Sequence, residues 1–398
     1  MKKMNEMREV FVAGIGLVPW GVYENKEHYD FGSDAVFNAL KDAEMEWKDI
    51  QAAFIGSVYQ GTGSGHQVIK EVGQTGIPIV NIENACSSGS SAFRLAYQMI
   101  AAEIYDIVIA VGMEKMPKGP IKSTAFRPWE LASGFNVQMA NYANEAVEYM
   151  HETGASVEDF ARVTVKNRKN GALNPNARFR KPVTLEEVME SRMVSTPLRL
   201  FHCCPLADGA AAAVLCSKNK LKSIKRSIIV AASTLTSGVY GEGIMMCGTV
   251  NSLKFPAESG IVKLSADQAY EIAGYGPEDM DVVQAYDTMA PAELWDVEKL
   301  GFCREGEAPK FLKEGVFDID GKTPVNTDGG LMSRGHPLGA TGLGQICEII
   351  NQLRGEAGKR QVNNPRIGLA HSMGAGPNSS VTILKKNNVR VQNFEPLH

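Results

Sequence analysis

Two hydrophobic rhythms alternate along this chain. Tyr105-Asp-Ile-Val-Ile-Ala-Val-Gly112 is a short, nearly unbroken apolar run, the pattern of a strand covered on both faces. Immediately before it, Ala92, Leu95, Ala96, Met99 and Ile100 recur at helical spacing, with Arg94 and Gln98 off that face. Asn84-Ala-Cys-Ser-Ser-Gly89 sits where an earlier strand gives way to this helix. Strands alternating with amphipathic helices predict an α/β fold.

The pattern occurs twice. Glu9-Val-Phe-Val-Ala-Gly14 matches Ser227-Ile-Ile-Val-Ala-Ala232, and Ala39, Ala43, Asp49 and Ile50 fall on Ala269, Ala273, Asp279 and Met280. The helix Gly89–Ile100 overlays Gly339–Ile350, and Ile107–Gly112 overlays Ile367–Ser372. The offset grows from about 218 to about 260 residues, as insertions into one unit of a duplicated pair would produce. Under this alignment Cys86 and His336 are equivalent, each three residues before a helix-opening glycine, and His371 lies on the strand of the second unit.

A thiol at a helix N-terminus meets unpaired N–H groups and the positive end of the dipole, which predicts a thiolate-leaning Cys86. A lone cysteine is more often a small buried hydrophobe. The repeat shifts the balance, because it offers His336 from the other half as a base for this nucleophile. Functional groups in α/β folds collect at strand ends and helix starts, where both residues fall.

With these residues in view, the chain resembles the thiolase superfamily, and within it the sterol-carrier-protein type with its bacterial and archaeal relatives. The motifs that carry the resemblance are Asn84–Gly89, Gly112-Met-Glu-Lys-Met116, Asn174-Pro-Asn-Ala177, Glu186–Met193, Cys203-Cys-Pro-Leu-Ala-Asp-Gly-Ala-Ala211 and Gly335-His-Pro-Leu-Gly-Ala-Thr-Gly342. It implies a five-layered αβαβα fold of two pseudo-symmetric halves, residues 1–250 and 251–398, with a loop domain inserted at about 117–205. It implies a thiolase that cleaves a 3-oxoacyl-CoA with free CoA through an acyl-cysteine on Cys86. His336 would activate Cys86, and the N–H groups of Cys86 and Gly374, with His336, would stabilise oxyanions. Coenzyme A is then a co-substrate, and no permanently bound cofactor is expected. Arg178, Arg180 and Lys181 are candidates to hold its phosphates, although a basic run such as Arg162, Lys166, Arg168 and Lys169 is ordinarily a solvated face. A homodimer is implied, as is a small zinc-ribbon/OB-fold partner subunit. A branched or aromatic substrate is the preferred expectation, since some relatives cleave products such as benzoylsuccinyl-CoA.

The chain departs from the family in its second cysteine. The Cys-x-Gly loop of ordinary thiolases reads His371-Ser-Met-Gly374 here, and the His-Asp-Cys-Phe of sterol-carrier-type enzymes reads Tyr286-Asp-Thr-Met289. His371 and Tyr286 are therefore the candidates for the remaining proton transfers, with His371 the better base near neutral pH. The tyrosine keeps a CoA-ester retro-aldol lyase open as an alternative, and a noncatalytic acyl-binding scaffold is a third. Retention of Cys86 and of the Gly-His-Pro motif favours the thiolase.

Composition narrows the rest. A net charge of −4 gives no basic field for nucleic acid. No apolar run reaches about 18 residues, so no membrane span is expected. Seven cysteines with no framework spacing and no Cys-x-x-Cys pair fit a reducing cytoplasm and no metal site, leaving His202, Cys203, Cys204 and the scattered cysteines to packing. The Gly-rich Gly61-Thr-Gly-Ser-Gly-His66 lacks a P-loop ending and reads as a flexible surface loop.

Overall fold

The computed structural model describes residues 7–119, 128–132, 134, 137–224, 226–238, 260–375 and 377–387. Its strands are β1 (Val10–Leu17), β2 (Ala53–Gly56), β3 (Ile79–Ile82), β4 (Ile107–Glu114), β5 (Met193–Ser195), β6 (Leu198–Arg199), β7 (Gly209–Ser217), β8 (Ile228–Ser233), β9 (Thr236–Ser237), β10 (Val282–Gln284), β11 (Ile367–Gly374) and β12 (Asn378–Lys386). Its α-helices are α1 (His28–Ala43), α2 (Ser64–Val72), α3 (Ser88–Ala101), α4 (Pro128–Ala132), α5 (Gln138–Thr153), α6 (Val157–Gly171), α7 (Leu185–Glu190), α8 (Ile261–Ala273), α9 (Ala290–Lys299), α10 (Ala308–Lys313), α11 (Gly330–Arg334) and α12 (Leu338–Arg354).

The duplication is visible in the strand order. From the junction of β1 with β8, one arm runs β1-β7-β4-β2-β3 and the other β8-β12-β11-β10. In both arms the first two pairings are antiparallel and the third is parallel. The arms meet through two residue pairs, Phe11↔Ile229 and Val12↔Ile228. Helices α1 and α8 cover the outer faces, whereas α3 and α12 lie between the arms, packed on the sheet and on each other. The layers are therefore αβαβα, with β4 and β11 buried throughout.

The central helices meet where side chains are smallest. A Cβ on Gly89 would lie 2.6 Å from the carbonyl oxygen of Gly339, and one on Gly339 would lie 2.4 Å from that of Met113. Both helix starts thus approach to backbone contact, which brings the residues just ahead of them, Cys86 and His336, toward each other.

Helices α4–α7 and the β5-β6 hairpin lie between β4 and β7 in the chain. The basic run here is not one solvated face. Arg162 pairs with Glu158 at 2.5 Å on the exposed side, but Lys166 is buried against Glu293 at 2.9 Å. The Gly-rich stretch is also not a loop to its end: α2 begins at Ser64, and a Cβ on Gly65 would meet the Asn81 side chain at 2.7 Å. His66 is on this helix, its Nδ1 3.2 Å from Asn81 Nδ2. Small residues here serve close packing on β3, which local composition does not reveal. The 250/251 boundary lies outside the described residues, as does Cys247. Among the described residues no helix is long and apolar enough to cross a membrane.

Candidate active site

Cys86 stands two residues ahead of α3, as His336 does ahead of α12. Ala85 holds a left-handed φ of 48°, a conformation costing a residue with a Cβ about 1 kcal/mol or more. That turn carries the thiol inward, to 6 % exposure. Gly374 packs beside it: a Cβ there would lie 2.2 Å from the Asn84 carbonyl oxygen.

The Cys86 thiol is hydrogen-bonded to the Tyr286 hydroxyl, which lies 3.3 Å from His336 Nε2. His336 Nδ1 is 2.7 Å from Thr341 Oγ1, and Thr341 in turn donates to the Pro337 carbonyl at 2.9 Å. The assignment that satisfies both contacts has the Thr341 proton on Pro337, so Nδ1–H donates to Thr341 and Nε2 keeps its lone pair. Cys86, Tyr286 and His336 are thus joined in one hydrogen-bonded chain, whose far end is the Nε2 lone pair of His336. That is a path for removing the thiol proton, with a threonine fixing the tautomer of the terminal base.

Protonation at rest differs from the sequence expectation. Burial pushes the Cys86 thiol up to about 12, with Glu114 opposing the thiolate and the Tyr286 bond only partly offsetting them. Desolvation thus outweighs the helix N-terminus, and Cys86 rests as a thiol. Burial, aided by Arg334, drives His336 down to about 3, so it rests neutral. Both groups therefore rest uncharged. Below its raised pKa an acid ionises about tenfold more per pH unit. Iodoacetamide labelling of the Cys86 peptide is therefore expected to climb about tenfold per unit from pH 6 through 9. A plateau near pH 7, read by peptide mass spectrometry, would mean a resting thiolate instead.

Carboxylates brace the site from behind. Glu114, at the end of β4, accepts from the backbone N–H groups of Val58, Tyr59 and Gly339 at 3.0, 2.9 and 2.9 Å, tying the start of α12 to the first half. Burial raises it to about 7. Asp287, next to Tyr286, accepts from Leu331 N at 2.7 Å in the short helix α11 that leads to His336. Tyr286 N itself donates to Asp296 at 2.8 Å.

His371 is placed differently. Its Nδ1 lies 2.6 Å from Asp296 Oδ2 and its Nε2 3.0 Å from Ser379 Oγ. The next residue on β11, Ser372, reaches the Cys86 carbonyl at 3.4 Å, so strand alternation turns His371 to the opposite face. His371 reaches the site through Asp296, which both His371 and the Tyr286 backbone grip. Sequence reasoning named Cys86, His336 and Tyr286, which the structure brings together. It did not single out Thr341, Glu114 or Asp296.

Of the three phosphate candidates, Arg178 lies beside the site. Its N–H donates to the Arg334 carbonyl at 3.0 Å, and a Cβ on Gly335 would be 3.5 Å from its Cβ. Arg168, buried, places its guanidinium 4.0 Å over the Phe179 ring, and Arg178 opposes its charge. Arg180 and Lys181 are exposed. His202 is buried and held down to about 4, with Nδ1 accepting from Arg199 N at 3.2 Å. Among the described residues no cluster of His, Cys, Asp and Glu has the arrangement of a metal site.

The geometry has counterparts elsewhere. Residues 13–219 match the family described as thiolase, N-terminal domain, and 254–387 match thiolase C-terminal domain-like. The chain is 38 % identical over 381 residues to benzoylsuccinyl-CoA thiolase subunit BbsB of Thauera aromatica, covering 93 % of this chain and 95 % of that one. It is 38 % identical over 402 residues to sterol carrier protein 2 of Bos taurus, covering 94 % and 72 % respectively. Among solved structures, the Ltp2–ChsH2(DUF35) aldolase superposes with a TM-score of 0.85 at 28 % identity, over 97 % of this chain and 100 % of that one.

Proposed function

The chain belongs to the thiolase family and is an acyltransferase of that type, and we propose that it cleaves a 3-oxoacyl-CoA with free CoA through an acyl group carried on Cys86. The observation that supports this reading is the hydrogen-bonded chain that links the Cys86 thiol through Tyr286 to His336. Cys86 Sγ attacks the keto carbon while its proton passes along that path to His336 Nε2. The bond between the second and third carbons then breaks, leaving the acyl group on sulfur and an acyl-CoA enolate. A second CoA thiol removes the acyl group, and the proton on His336 returns to Cys86.

A neutral resting pair suits this order of events, because charge is created only as the S–C bond forms. The oxygen of the attacked carbonyl would meet N–H donors at the start of α3 and from Gly374. Arg178, next to the Gly-His-Pro loop, would receive a CoA phosphate, with Arg180 and Lys181 further out on the exposed side. The likeness to a benzoylsuccinyl-CoA thiolase subunit supports a degradative role on a branched or aromatic 3-oxoacyl-CoA. The likeness to an aldolase that includes a DUF35 component supports a small second subunit. A homodimer in the cytoplasm completes the proposed reading.

Intact mass after incubation with a panel of 3-oxoacyl-CoA esters tests the reading. The chain is expected to gain one acyl mass, mapped to the Cys86 peptide, and to lose it on addition of free CoA. Cleavage without any adduct would overturn it in favour of a retro-aldol reaction, for which Tyr286→Phe, not loss of the thiol, would be the disabling change.

A further inference from the structure

The cleavage just described leaves a carbanion that needs a proton and a CoA thiol that must lose one. The Tyr286–His336 path has by then taken the proton of Cys86, and His371 is bound at both nitrogens away from the thiol. A second sulfhydryl stands at the same place. Cys204 N donates to the Thr288 carbonyl at 3.1 Å, its Sγ lies 3.5 Å from Thr288 Oγ1, and Cys203 forms a bridge with Met289. On its other side, the His336 N–H donates to the carbonyl of Pro205 at 3.0 Å, and Leu206 bridges His336. The Cys203–Leu206 segment is thus laced between the strand end that carries Tyr286 and the loop that carries His336. Cys204 is half-buried and packs against the large apolar cluster that includes Cys86, Tyr286 and Met289.

Resting on the thiolase reading above, we propose that Cys204 is a catalytic residue, the proton donor to the departing enolate carbon and the acceptor of the proton of the incoming CoA thiol. Its S–H bond breaks as the C–H bond of the product acyl-CoA forms, leaving a Cys204 thiolate. That thiolate takes the proton of CoA–SH, the CoA thiolate attacks the acyl carbon on Cys86, and the released Cys86 sulfur recovers its proton from His336. Every proton is returned and no oxidant or reductant is needed. Burial, with smaller contributions from Cys203, Asp287 and Cys86, raises the Cys204 thiol, so it is protonated when the carbanion forms. Thr288, through its hydroxyl and its backbone, fixes the direction of the sulfur.

Cys204→Ser and Cys204→Ala separate this chemistry from packing. The first readout is acylation of Cys86 by S-(4-nitrophenyl) thioacetate, whose leaving thiol needs no proton. The second is exchange of the acetyl-CoA methyl protons in D2O. Both variants are expected to acylate Cys86 at a rate within a few fold of the parent. Exchange and thiolysis should fall about 100- to 1000-fold, the span of one general acid. Exchange at the parental rate in either variant would overturn the proposal. So would parallel loss of acylation and exchange in both, since a residue that only packs has no preference between the two readouts. Failure of the parent enzyme to acylate at Cys86 would refute the thiolase reading itself, a distinct result.

Discussion

Thiolysis by Cys86→Ala is expected to fall by at least about 10⁴-fold, with no acyl mass on the chain, while the fold survives. The whole acyl-transfer path depends on one sulfur, and no other group in the Tyr286–His336 path forms an acyl thioester. Removing it also leaves His336 with nothing to deprotonate. The structural cost is small because Cys86 rests uncharged in its pocket: no buried ion is orphaned and only one sulfur's worth of packing is lost. A stability change within about 2 kcal/mol is anticipated. Steady-state assay and urea denaturation check the two halves of this expectation. Residual thiolysis above a thousandth of the parent would mean that carbon–carbon cleavage does not pass through Cys86.

The second large effect is on stability and lies away from the thiol. Lys166→Ala is expected to cost about 3–5 kcal/mol, because it leaves buried carboxylates without their cation. Lys166 Nζ lies 2.9 Å from Glu293 with both side chains nearly inaccessible, and Asn167 joins Glu293 to Asp287. Burial and the neighbouring Glu293 already raise Asp287 to about 7. An acid whose folded pKa is raised favours the folded state in its protonated form. Its contribution therefore becomes less favourable as pH climbs from the ordinary carboxylate range to about 7. Loss of Lys166 raises that pKa further, so the deficit should be larger at pH 8 than at pH 5. Urea titrations at both values decide it: an equal deficit would mean that the ion pair is not what Lys166 supplies. Asp287 also holds the N–H of Leu331 ahead of the Gly-His-Pro loop, so kcat should drop with stability.

What the sequence made legible was the pairing of equivalent positions. Cys86 and His336 could be matched because each precedes a glycine that opens a long apolar helix, and those glycines are where the helices touch. Tyr286 was reachable from its place in a motif. Protonation was not legible, since the helix N-terminus is a local feature and the desolvation that outweighs it comes from side chains scattered through the chain. Cys204 was read as packing, because its partner Thr288 is 84 positions away. His371 was correctly placed on its strand, but which face it occupies depends on the register of β11 with β12 and on the carboxylate of α9. The Gly-rich stretch before His66 was misjudged for a similar reason: small residues signal mobility in isolation and close contact once β3 lies underneath.

The glycine contact between α3 and α12 has a consequence for how this enzyme comes into being. On the proposed mechanism nucleophile and base come from opposite arms of the fold, so neither arm by itself would turn over substrate. Catalysis switches on only when the two lobes have closed on each other. In a refolding experiment, the first appearance of product would therefore time the last docking event of the chain.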